Sequence, residues 1–175
     1  MQDSPESTTA FDRNQELRAP THSSGGDMLG FAPCPTCRID PMELASFDDL
    51  LTAARQQPEP QRLLFVFARV ELPEHATDDQ RERFERREGG TISPCLCVDK
   101  APGEVADFAA LKAESEATGQ HWDMVFVGSL DGRGGIAPSA DEAAQPLRFM
   151  VNAINDGRVS DFAAFDHDGQ VLRFA

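Results

Sequence analysis

The chain has 175 residues, 40% hydrophobic and 26% charged, which suits one globular domain with a buried core and room for a tail. Its formal net charge is −14 and its pI about 4.5; such a surface repels phosphate backbones and anionic lipid, which argues against nucleic acid and membrane and leaves a protein partner, by complementarity a basic one. No apolar run approaches the ~18 residues of a membrane span, and MQDSPESTTA lacks the basic and apolar regions of a secretory signal, so a cytoplasmic protein with reduced cysteines is expected.

Residues 1–41 are rich in Ser, Thr, Pro and Gly, and their apolar residues have no period. They read as a disordered tail, or as translated leader if the true start is Met28 or Met42 rather than Met1. A single domain is expected over 42–175. Ser46 is a natural N-cap, and Phe47, Leu50, Leu51 and Ala54 follow at helical spacing until Pro58 and Pro60 end the helix. Residues 62–72, RLLFVFARVEL, are apolar without alternation, as in a strand buried on both faces. Thr77 and Gln80 form a capping box for a short helix whose only large apolar residue is Phe84; its charge pairs, Asp79 with Arg83 and Glu82 with Arg86, suit a solvated surface.

A second buried strand is expected at 91–100. A helix then places Val105, Phe108 and Leu111 inward and stops at Gly119, and a third buried strand covers 122–130. The Gly-rich loop after it leads into a helix capped by Ser139 and Glu142, with Leu147, Met150, Val151 and Ile154 on its inner stripe. Pro146 fits its first turn, which sets the start near Asp141 to Ala144. The last segment reads as a β-hairpin turning at Asp168-Gly169. Apolar strands alternating with helices, α-β-α-β-α-β-α-β-β, predict an α/β fold with a mixed, mainly parallel sheet flanked by helices and a C-terminal hairpin.

Four sulfurs come in two pairs, Cys34-x-x-Cys37 and Cys95-x-Cys97, enough in number for a tetrahedral zinc. The pairs are 58 residues apart, and Cys95 and Cys97 fall on a strand, where positions i and i+2 share one face; two small core residues explain them better than a metal. Cys34 and Cys37 lack the following helix that would activate a redox thiol. No cofactor is implied.

Loops leaving the carboxyl ends of parallel strands form the binding crevice of such folds, so Asp99, Lys100, Ser129, Asp131, Arg133 and Ser139 are the candidate ligand-binding residues. Glu71 and His75 follow the first strand by the same logic. The phosphate motifs fail: Arg133 stands where a P-loop needs Gly, and GRGGIA is not G-x-G-x-x-G. His121 reads as a half-buried structural histidine. No catalytic residues emerge.

The segments SFDDLLTAARQQPEPQRLLFVFA, CVDK, WDMVFV and FDHDGQVLRF resemble a group of short proteobacterial proteins labelled "ribonucleotide reductase subunit alpha". The resemblance covers Met42 to Phe174 and implies an association with that enzyme. It carries over no catalytic residues, because the large subunit is a ten-stranded α/β barrel several times longer, with a radical cysteine and a redox pair. The sequence therefore points first to a non-catalytic protein- or ligand-binding module. The alternatives are a small enzyme or anion-binding protein using the crevice, and a ribonucleotide-reductase-associated protein.

Overall fold

The computed structural model describes residues 44–86 and 89–174. The expectations for the first 41 residues, for Met28 and Met42 and for Cys34 and Cys37 lie outside them.

The helices and strands follow one another as the periodicity predicts. They are α1 (Phe47–Arg55), β1 (Gln61–Glu71), α2 (Asp78–Glu85), β2 (Thr91–Lys100), α3 (Phe108–Ala117), β3 (Met124–Asp131), α4 (Ala140–Asn155), β4 (Ala163–Asp166) and β5 (Val171–Leu172). Local chemistry sets the helix starts. The Ser46 hydroxyl accepts the Asp49 N–H at 3.1 Å, the Thr77–Gln80 and Ser139–Glu142 capping boxes are both closed, and Asp107 caps α3 through the Ala110 N–H at 2.8 Å.

The strand directions differ from expectation. The five strands run in the order β2-β1-β3-β4-β5, and every neighbouring pair is antiparallel. A mainly parallel sheet is therefore excluded. The reason lies in the connections. The eight-residue α2 spans only about 12 Å against about 36 Å for the eleven-residue β1, and the chain does not use this connection to return along the strand. Instead α2 caps the end where β1 turns back into β2. Only α3 joins two strands of like direction, β2 and β3, and β1 is inserted between them.

The reading of strands buried on both faces holds for β1 and β3, where helices cover both sides, but not for β2, which is buried only at Leu96, Val98 and Lys100, on one face. Leu63, Phe65 and Phe67 of β1 pack with Leu96, Val98, Val125, Val127 and Phe165 beneath α1 and the Val105–Leu111 region. On the other face Leu64, Val66, Ala68 and Phe126 pack with Ala143, Met150 and Ile154 of α4. Gly128 sits under α4 because a Cβ there would lie 2.9 Å from Met150 Sδ.

Two local expectations are corrected. α4 begins at Ala140, so Pro146 is its seventh residue and lies beyond the first turn. Proline at that depth removes a helical hydrogen bond and crowds the carbonyl four residues back. His121 is exposed, its side chain 76% accessible and its Nε2 3.5 Å from Asp123 Oδ1. It is not half-buried; its neighbour Trp122 takes the buried place, with Nε1 donating to Ser115 Oγ at 2.9 Å.

The closed Ser139–Glu142 cap and the buried face of α4 offset the defect at Pro146. Replacing Pro146 with Ala should raise the unfolding free energy by on the order of 1–3 kcal/mol, read as a higher denaturant midpoint at an unchanged m-value. Equilibrium urea unfolding measures this, and an unchanged or lower midpoint would show that the proline is accommodated without cost.

Candidate functional site

Because β2 and β3 both run antiparallel to β1, their carboxyl ends do meet at one end of the sheet, beside the start of β1. Asp99, Ser129 and Asp131 lie there. They do not share a crevice, because alternation sends them to different faces. Asp99 ion-pairs with Arg62, and Arg62 also donates to the Pro138 carbonyl at 3.3 Å, which ties the α4 entry to β1. Ser129 is buried two residues beyond Val127, on the α1 and α3 side. Asp131 Oδ1 accepts the Gln61 side-chain amide at 2.6 Å. Glu71 falls at the opposite end, where β1 finishes, and His75 follows it, since β1 runs the other way.

The Gly-rich loop is pinned. The Gly132 N–H donates to Pro60 O at 2.8 Å, Arg133 and Ile136 bridge to each other, and the Gly135 N–H donates to Glu59 Oε2 at 2.7 Å. A Cβ on Gly132 would lie 2.2 Å from Ile136 O, so only glycine permits this path. Ser139 is engaged at the start of α4. Its N–H and hydroxyl both donate to Glu142 Oε2, at 2.8 and 3.0 Å. The start of α4, where Ser139 was a candidate ligand-binding residue, thus holds the chain's own carboxylate, whose pKa is lowered first by the Ser139 N–H, then by the Ser139 hydroxyl, with Arg133 adding to it.

Lys100 is separated from this group. It is 9% exposed, on the α3 side, and its Nζ lies 2.6 Å from Glu114 Oε2. The pair edges a shallow recess between β2 and α3, lined also by Phe67, Leu96, Val98, Leu111, Ser115 and Thr118.

The cysteine expectation needs correction too. The register of β2 against β1 shifts between Phe67 and Ala68: Leu96 faces Phe67, Pro94 faces Ala68, and Cys95 is the extra residue of a β-bulge. The bulge breaks the alternation. Cys95 therefore packs with Leu96 and Val98 on the α1 and α3 side, and its thiol donates to Phe67 O at 3.5 Å; Cys97 packs on the α4 side. The two sulfurs face opposite sides of the sheet. Burial, and then the neighbouring Cys95, push the Cys97 thiol up to about 12. Among the described residues no three His, Cys, Asp or Glu side chains are grouped to hold a metal ion.

One feature that sequence reasoning missed is the outer edge of β2. Among the described residues this strand pairs only with β1. Its hydrogen-bond phase follows from the Gly132 to Pro60 bond, which lies in register with the β1–β3 ladder. Even-numbered residues of β1 thus turn their main-chain groups to β3, and odd-numbered ones turn to β2. The partners of Leu63, Phe65 and Phe67, which are Lys100, Val98 and Leu96, point inward. Cys97 and Asp99 therefore direct N–H and C=O outward. Pro94 occupies an outward position as well, where a missing N–H costs no ladder bond. Proline inside a strand is the signature of an edge, and Pro94 was the sequence signal for it.

A thiol at about 12 is protonated at neutral pH, so Cys97 should resist iodoacetamide at pH 8 in the folded chain and react fully in denaturant; peptide mass mapping reads this, and rapid native alkylation would contradict it. The folded pKa of Glu142 lies below its ordinary 4.5, so its contribution to stability is complete above that value and is lost as pH falls through the lower, folded pKa. Urea unfolding of the wild type and Glu142→Gln between pH 7 and 3 should show the stability gap narrowing as pH drops. A constant gap would remove Glu142 from the linkage. No protein-family model, curated protein or solved structure matches this chain.

Proposed function

We propose that the chain is a non-catalytic, cytoplasmic protein-binding module that takes an extended segment of a partner protein along the outer edge of β2. The observation that carries this reading is the pair of outward residues, Cys97 and Asp99, on a strand whose other side is occupied by β1. An exposed edge is a template for strand addition, in which main-chain bonds supply affinity and alternate side chains supply specificity. Pro94 and the bulge at Cys95 confine the usable template to the stretch from Leu96 to Lys100. The net charge of −14 favours a basic partner over a second copy of the chain.

The polar groups at the strand ends support binding over catalysis. Asp99 is held by Arg62, Asp131 by Gln61 and Glu142 by Ser139, so each is engaged in the fold. A catalytic or anion-binding crevice would need them turned to a common space. Two N–H and two C=O groups at about 0.5–1.5 kcal/mol each amount to a weak contact, so a stable complex also needs side-chain contacts. The resemblance to proteins labelled as ribonucleotide reductase subunit alpha makes that enzyme the first partner to examine.

Hydrogen exchange tests the reading. In the unbound chain the Leu96 and Val98 amides should exchange slowly and those of Cys97 and Asp99 quickly. A partner recovered by affinity pull-down from the native cell should slow Cys97 and Asp99. It should also be lost with Cys97→Pro, checked for folding by circular dichroism. A partner that binds without slowing the two outward amides would place its contact elsewhere and end this reading.

A further inference from the structure

We infer that the β4–β5 turn is a proton-sensitive clasp on α3, in which the imidazolium of His167 closes against Glu116 and Trp122; this stands independently of the reading of β2. β5 is two residues long and pairs only with β4 among the described residues. So short a ladder holds a strand weakly, and the contacts between the turn and α3 decide how firmly this end of the sheet is shut. Gly169 lies under Phe108, where a Cβ would stand 2.8 Å from Phe108 Cδ1, and Lys112 Nζ donates to the His167 carbonyl at 3.1 Å. The His167 side chain reaches further along the same helix. Its Nε2 is 3.2 Å from Glu116 Oε1, and its ring centre is 4.5 Å from that of Trp122.

Both side-chain contacts distinguish the two protonation states. A neutral imidazole offers Glu116 a neutral hydrogen bond and Trp122 an uncharged ring. The imidazolium meets the carboxylate with a full charge and lies within the ~6 Å reach of a cation–π contact with the indole. Trp122 is fixed to receive it, because it is buried and its Nε1 donates to Ser115 Oγ at 2.9 Å. The surrounding charges come from three elements. α3 supplies Glu116 and Lys112, the turn supplies Asp166 and Asp168, and the segment around Trp122 supplies His121 and Asp123, which pair with each other. Lys112 opposes the imidazolium, as His121 does once protonated; the carboxylates favour it. Histidine ordinarily changes charge between about pH 5 and 8. Only the charged form gains from both contacts, so the clasp is tightest at the acid end of that range and loosens as pH rises through it.

The reporters are the Asp166 and Gly169 amides, which close the turn on Gln170 O at 2.9 Å and Asp166 O at 3.1 Å. Their hydrogen-exchange protection factors, which divide out the intrinsic effect of pH, are measured on the ¹⁵N-labelled full chain. From pH 8 to pH 5.5 they should rise about fivefold, the combined size of an exposed ion pair and an exposed cation–π contact. His167→Gln keeps a hydrogen-bond donor but takes no proton, and its factors should stay level. Glu116→Gln should retain a gain of about twofold, from the indole alone. Level or falling factors in the wild type overturn the inference, and so does a rise that persists in His167→Gln. A second measurement does not depend on that variant folding. Trp122 is the only tryptophan of the chain, and His121→Gln removes the exposed histidine beside it. In that background acid should quench the emission of Trp122 through contact with the imidazolium. Emission that is the same at both pH values overturns the clasp.

Discussion

The fold depends on β1 being enclosed on all four sides. Residues Leu63 to Ala68 are essentially without solvent contact, with β2 and β3 at their edges and helices above and below. A strand in that position must satisfy every main-chain group through its two neighbours, since no water reaches it. It must also be apolar at every position, since both faces are core. The unbroken run LLFVFA meets both demands, and the full burial of five large apolar side chains at about 1.5–3 kcal/mol each makes this strand the main hydrophobic investment of the chain.

The polar chemistry at the start of β1 serves the same end. Arg62 and Gln61 sit where the strand emerges, and each reaches a carboxylate on a neighbouring strand. Arg62 also holds the carbonyl that precedes the α4 cap, and Glu59 and Pro60 fasten the glycine loop. A cluster of charged residues at strand ends thus becomes scaffolding. The groups left open are main-chain ones, on the single neighbour of β1 that has no further neighbour among the described residues.

Much of the fold was legible because its causes are local. The α1 stripe of Phe47, Leu50, Leu51 and Ala54 is buried as its spacing requires, and the Ser46, Thr77 and Ser139 caps close as their side chains allow. The errors arose where a local rule met a tertiary one. Alternation placed Cys95 and Cys97 together until a bulge, invisible in composition, turned one of them over. Pro146 was assigned to a first turn because proline is tolerated there, yet the Ser139 cap won and the helix starts earlier. Of the candidate site, the gathering of Asp99, Ser129 and Asp131 at one end of the sheet was legible, but not their division between two faces.

The sequence by itself determined which segments are helix and which are strand, where most of them begin, and that β1 is core on both sides. These are properties of spacing, capping and hydrophobicity within a few residues. Tertiary structure decided the direction of each strand, because a run apolar at every position packs equally well either way and only the length and path of the connections choose. It also decided that β2 stands at one edge of the sheet. That is a property of neighbours in space, and the sequence marked it with a single proline.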